Sequence, residues 1–138
     1  MARGLPRASE QAMSRDVTKL RVFHTAHRFL IDVYHATAAF PADERYGLRS
    51  QLRRAALSVS VNIVEGAARR TLREYVSFLN VAAASSAEVM YLFSVAGRSG
   101  YVGARDAGRL EASFRELLKS LRALLRGLET RVRSRPDR

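Results

Sequence analysis

The sequence predicts an all-α protein, an antiparallel up-and-down four-helix bundle. Apolar residues recur in steps of three and four along four long stretches, the signature of amphipathic helices. Of the three prolines, only Pro41 lies between the ends of the chain, so nothing interrupts the stretches. No segment alternates apolar and polar residues as a half-buried strand does. With 138 residues, 47% hydrophobic and 27% charged, the chain is sized for one domain and has the composition of a folded one.

The first stripe, Phe23, Ala26, Leu30, Val33, Thr37 and Phe40, predicts a helix over about 17–39, ended by Pro41. Asp43 and Glu44 then place acids at the start of a second helix, where they favour its positive end. Its stripe is Leu48, Leu52, Ala55, Val59, Asn62 and Gly66, widened by Ala56 and Ile63. Thr71-Leu72-Arg73-Glu74 is a capping-box pattern and sets the start of the third helix. Tyr75, Leu79, Ala82, Ser86, Val89, Phe93 and Ala96 form its stripe, which stops at the turn Gly97-Arg98-Ser99-Gly100. The fourth stripe, Leu110, Phe114, Leu117, Leu121, Leu124 and Leu128, is the most regular. The bundle is thus expected over 17–130, between a disordered basic tail at 1–16 and a disordered arginine-rich tail at 131–138.

Between Tyr75 and Gly97 the third helix carries one charge, Glu88. A helix in a four-membered bundle keeps one side exposed, so a neutral outer side points to contact with further copies of the chain. On the second helix Gln51, Arg54, Ser58, Asn62 and Glu65 make a polar ladder beside the apolar stripe. It is expected to form a structural polar network of Gln51, Arg54, Asn62, Glu65 and Glu88 rather than an acid–base site, since no nucleophile, metal set or phosphate loop accompanies it.

The chain has no cysteine, which excludes disulfides, thiol nucleophiles and thiolate metal sites. His24, His27 and His35 share the first helix without a carboxylate at matching spacing, so no metal is expected. No GxGxxG, GKS/T, HExxH or GxSxG sequence occurs, and neither an enzyme nor a cofactor is predicted. The opening residues lack the apolar segment of a secretion signal and no uninterrupted apolar run of spanning length occurs, so a cytoplasmic protein without membrane contact is expected.

The net charge of +11 rests on 22 arginines and two lysines against 13 acids. Residues 1–16 hold three arginines and two acids and residues 131–138 four arginines and one acid, which leaves +7 on the predicted bundle. The bases fall in order. Arg45, Arg49 and Arg53 recur every fourth residue on the second helix; Arg69, Arg70 and Arg73 cluster at the junction into the third; Arg115, Lys119, Arg122 and Arg126 line the fourth. Taken singly, each stripe is a solvated face balanced by Glu44, Glu74, Glu111, Glu116 and Glu129. Taken together with the surplus, they predict an anion-binding surface, with RNA or DNA as partner.

Lys19-Leu20, Val22-Phe23, Ala26, Val33-Tyr34, Thr37, Phe40-Pro41, Glu44, Tyr46-Gly47-Leu48, Gln51 to Ala56, Ser58-Val59, Asn62 to Gly66, Phe78-Leu79, Ala82, Glu88 and Gly100-Tyr101 form a combination that is specific. Over about 19–102 it resembles the bacterial four-helix-bundle family named after the protein encoded in intervening sequences of large-subunit ribosomal RNA genes. The chain departs from the family pattern at Phe23, Val64 and Ser85-Ser86, where Trp or Tyr, Ala, and Gly-Ser are usual. The resemblance implies a homopentamer, five bundles around a central channel, with no catalytic activity. It also implies kinship with the accessory variability determinant of diversity-generating retroelements, a basic bundle that binds reverse transcriptase and nucleic acid. The functional expectation is a non-enzymatic homo-oligomer that binds RNA or other nucleic acid through its arginines. The alternatives are a retroelement accessory subunit that binds the reverse transcriptase and its template RNA, and a self-assembling structural protein without nucleic-acid function.

Overall fold

The computed structural model describes residues 16–134, and they contain four α-helices and no strand. These are α1 (Arg21–Thr37), α2 (Leu48–Ala67), α3 (Leu72–Arg98) and α4 (Ala104–Arg133), with short 3-10 turns at Val17–Lys19 and Ala42–Glu44. Each helix packs against two others, α1 on α2 and α4, α3 on α2 and α4, and the diagonal pairs do not meet. The ring encloses a core built from the predicted stripes: Leu30 and Val33 from α1, Leu52, Val59 and Ile63 from α2, Tyr75, Leu79, Val89 and Phe93 from α3, and Leu110, Phe114, Leu117 and Leu121 from α4.

Helix boundaries depart from the sequence expectation where local hydrogen bonding competes with periodicity. The first helix is split: Leu20 is extended, with φ −84° and ψ 120°, and separates the 3-10 turn from α1. Asp43 and Glu44 lie in a turn before α2 rather than in its first turn. Glu44 still acts on the helix start, because its Oε2 accepts from the Leu48 amide at 2.8 Å and so satisfies a donor that has no partner within the helix. Gly47 makes room for this reach. A Cβ on it would stand 2.5 Å from Glu44 Oε2. At α3 the Thr71 hydroxyl accepts from the Glu74 amide at 3.1 Å, as the capping pattern predicts. The last helix continues to Arg133, so residues 131–133 of the expected tail are helical. The expected tail 1–16, apart from Asp16, and residues 135–138 lie outside the described residues.

The turn after α3 connects two distant parts of the sequence motif. Gly100 takes a positive φ of 76°, which lets its amide bond Gly97 O and the Tyr101 amide bond Ala96 O, the paired closure of a Schellman motif. Tyr101 is thereby placed against the Phe40 ring, centroids 5.8 Å apart, and its hydroxyl donates to Glu44 Oε1 at 3.0 Å. One carboxylate thus caps α2 and ties the α1–α2 connection to the α3–α4 turn. The bond to Glu44, reinforced by that carboxylate's negative charge, raises the Tyr101 pKa above its ordinary value of 10.0. A donor whose folded pKa is raised contributes stability below the unfolded pKa and loses it as pH rises through the higher folded value. In ultraviolet titration of phenolate absorbance, Glu44→Gln is expected to move the ionisation of Tyr101 to lower pH.

By length and composition α3 is the one described helix able to cross a membrane, an attribute that a scan for unbroken apolar runs does not register. In the bundle 44% of that stretch is buried, with Leu79, Ala82, Ser86, Val89, Phe93 and Ala96 facing the core. Between Tyr75 and Gly97 its outer side carries one charge, the exposed Glu88. Asn80, Val81, Ala84, Ala87 and Tyr91 are exposed there, Tyr91 by 68%.

Candidate nucleic-acid interface

The stripe Arg45, Arg49 and Arg53 folds into one side of a groove of about 490 Å³ at the start of α2. Tyr34 of α1, Tyr46, Ser50, Arg54 and Leu57 complete its lining, and no carboxylate lies among them. The three arginines are not equivalent. Arg53 is committed within the fold: its Nε donates to Thr37 Oγ1 at 2.9 Å, a terminal NH2 nitrogen to the Tyr34 carbonyl at 3.3 Å, and its guanidinium lies 4.5 Å from the Tyr34 ring centroid. It sits at the C-terminal end of α1, where carbonyls lack helical donors and a cation is favoured. Thr37, fully buried, relays the bond by donating to Val33 O at 2.8 Å. Thr37→Val is expected to leave an Arg53 donor unmatched and to cost about 1–2 kcal/mol in urea unfolding.

Arg45, by contrast, lies over the ring of Tyr46 at 5.4 Å. Arg49 is half-buried and Arg54 exposed, and among the described residues neither has a carboxylate partner. Tyr46 is 86% exposed. The two tyrosines of the groove are absent from the charge pattern: Tyr34 enters by packing of α1 against α2, and Tyr46 from the connection beside Arg45. The visible cue is an aromatic beside Arg45 in the connection, outside any apolar stripe.

At the α2–α3 junction Arg69, Arg70 and Arg73 are exposed. The Arg69 guanidinium stacks 4.6 Å from the Phe78 centroid, and Arg73 shares a shallow groove of about 350 Å³ with Glu129 and Arg133 of α4. Arg115, Lys119, Arg122 and Arg126 are all exposed along α4, where Glu116 pairs with Lys119 at 3.2 Å. Asp106 pairs with Arg109 at 3.8 Å. Thus Arg115, Arg122 and Arg126 are not balanced at contact distance by the glutamates that alternate with them in sequence. The stripes do not merge into a single surface, however. Helices α2 and α4 are diagonal in the ring, and the groove and the junction lie at opposite ends of α2, about 30 Å apart at 1.5 Å per residue.

The polar ladder is arranged differently from the expected network. Asn62 is half-buried and donates to Ser58 O at 2.8 Å and Ser58 Oγ at 3.1 Å, and Ser58 Oγ bonds Ser85 Oγ of α3 at 2.9 Å. The serine at 85, a departure from the family pattern, therefore pins α2 to α3. Gln51, Arg54, Glu65 and Glu88 are exposed and take no part in this chain of bonds, because the backbone carbonyl one turn back and a serine satisfy Asn62 locally. On α1, Phe23 lies between His24 and His27, with ring centroids 5.3 and 6.2 Å away. No group of three metal-ligating side chains occurs among the described residues.

Comparison with known proteins follows the same lines. No curated protein matches the chain. Among solved structures, a protein of unknown function from the S23 ribosomal protein family of Bacteroides thetaiotaomicron has the same fold. It superposes with a TM-score of 0.71 at 17% identity, over 75% of this chain and 97% of that one. Neither that description nor the matching family model names a catalytic activity. The model, described as 23S rRNA-intervening sequence protein, matches residues 18–123. With that match over most of the bundle, the chain belongs to the 23S rRNA-intervening sequence protein family.

Proposed function

We propose that the chain is a non-enzymatic, self-associating bundle of alternately up and down helices that binds RNA through its arginine faces. The observation that carries this reading is the uncompensated charge. Residues 16–134 carry 19 lysines and arginines against 11 acids, and Arg49 and Arg54 stand in a groove without a carboxylate. Guanidinium groups left without acids suit phosphate, which accepts their paired N–H bonds. The family description, set in the context of 23S rRNA, favours RNA as the source of that phosphate.

Self-association is supported by a second observation. Leu57, Val61 and Val64 recur at steps of four and three on the outside of α2, and Val81 and Tyr91 lie on the outside of α3, all exposed by 39% or more. Such a patch on neighbouring helices fits a contact between copies, and the family resemblance gives five as their number. Each added copy multiplies the charge and the avidity for a long polyanion. Fluorescence anisotropy of a labelled RNA is the test. A saturable rise on adding the protein at low salt supports the reading; no rise overturns it and leaves a self-assembling scaffold whose charge serves solubility.

A further inference from the structure

The groove at the start of α2 contains more than charge, and its aromatic component narrows the ligand. An aromatic ring typically buries 150–250 Å² on folding. Tyr46 forgoes that gain and stands 86% exposed in the α1–α2 connection. Its one described ring contact is the Arg45 guanidinium, 5.4 Å from the centroid, which leaves most of the ring open. Arg49 and Arg54 line the same groove without acidic partners.

An open ring flanked by unpaired guanidinium groups matches a nucleotide with its base out of the stack. The base lies on the phenol ring beside the planar Arg45 group, and the flanking phosphates reach Arg49 and Arg54. A duplex presents only phosphates to such a groove, since its base faces are covered by their neighbours. We infer that this groove is a binding site for single-stranded nucleic acid in which Tyr46 stacks on one base, with Arg49 and Arg54 as the phosphate contacts. The inference rests on the RNA-binding reading above and specifies the strand state at one site.

The test compares a labelled single strand of about a dozen nucleotides with the same strand annealed to its complement, using the full chain and its Tyr46→Ala and Tyr46→Phe variants. Stacking is worth about 1–3 kcal/mol per base, or roughly 5- to 150-fold in affinity. Tyr46→Ala is expected to weaken single-strand binding by a factor in that range and leave duplex binding unchanged, while Tyr46→Phe, which keeps a ring, stays near the parent protein. Equal losses on both ligands, or no loss on the single strand, overturn the inference and leave general RNA binding intact. Absence of binding to either ligand by the parent protein overturns the RNA reading itself. Light scattering of Tyr46→Ala separates the remaining case: a changed oligomer mass assigns the ring to subunit contact and likewise overturns the inference.

Discussion

Phe114→Ala is expected to lower the stability of the bundle by about 3–5 kcal/mol in urea unfolding, the usual loss for removing a fully buried phenylalanine ring. Phe114 is 1% exposed within the α4 stripe, and its ring meets Phe29 of α1 at 5.6 Å between centroids. The α1–α4 seam is the slimmest of the four in the ring, so the cavity opens where least other packing can close it. Phe29→Ala should cost less, since Phe29 is only half-buried. Both proteins are to be compared at one protein concentration, because the proposed self-association would add to apparent stability by mass action. A loss below about 1 kcal/mol for Phe114→Ala contradicts the assignment of this ring as the closing contact.

The second large effect concerns ligand binding. Arg49→Glu combined with Arg54→Glu is expected to weaken RNA binding while leaving the helical content unchanged. Each neutralised phosphate contributes about 0.7 on a single strand, and about 0.9 on a duplex, to the slope of log affinity against log salt. Losing two contacts therefore lowers the slope by about 1.4 to 1.8 and, at 0.1 M salt, the affinity by roughly 25- to 60-fold. Arg53 is deliberately spared in this pair. Its bonds to Thr37 and the Tyr34 carbonyl hold α2 against the end of α1, so a loss of binding in an Arg53 variant mixes a phosphate contact with a damaged fold. Unchanged affinity in the double variant contradicts the groove as a phosphate-binding surface.

The four helices were legible in the sequence because each apolar stripe had enough length to set its own face, and the stripe residues do form the core. The helix starts were harder to read, since they depend on side chains acting across turns. Glu44 caps α2 from outside the helix, through a space that Gly47 leaves open, and a charge-pattern rule places it inside. The arginine stripes follow helical spacing along the chain, but linear spacing says nothing about which helices become neighbours. Ring packing puts α2 and α4 on the diagonal, which divides the basic surface, and turns Arg53 inward toward Thr37 while Arg49 lacks an acid. Tyr34 and Arg53 are 19 residues apart, a separation no local pattern joins.

The same distinction explains the polar ladder. Helical spacing put Asn62 beside Ser58, but the partner across the seam is Ser85, which lies off the α3 stripe, while Ser86 on the stripe bonds back to Ala82 O within its own helix. Neighbouring serines point about 100° apart around a helix, so only one of the two can face α2.

The claim that arginines left unpaired by the fold neutralise phosphates is tested most directly by the affinity of the parent protein for labelled RNA across a salt series. A straight fall of log affinity with log salt, with a slope corresponding to several released counterions, is the predicted result. Affinity that stays flat as salt rises contradicts it.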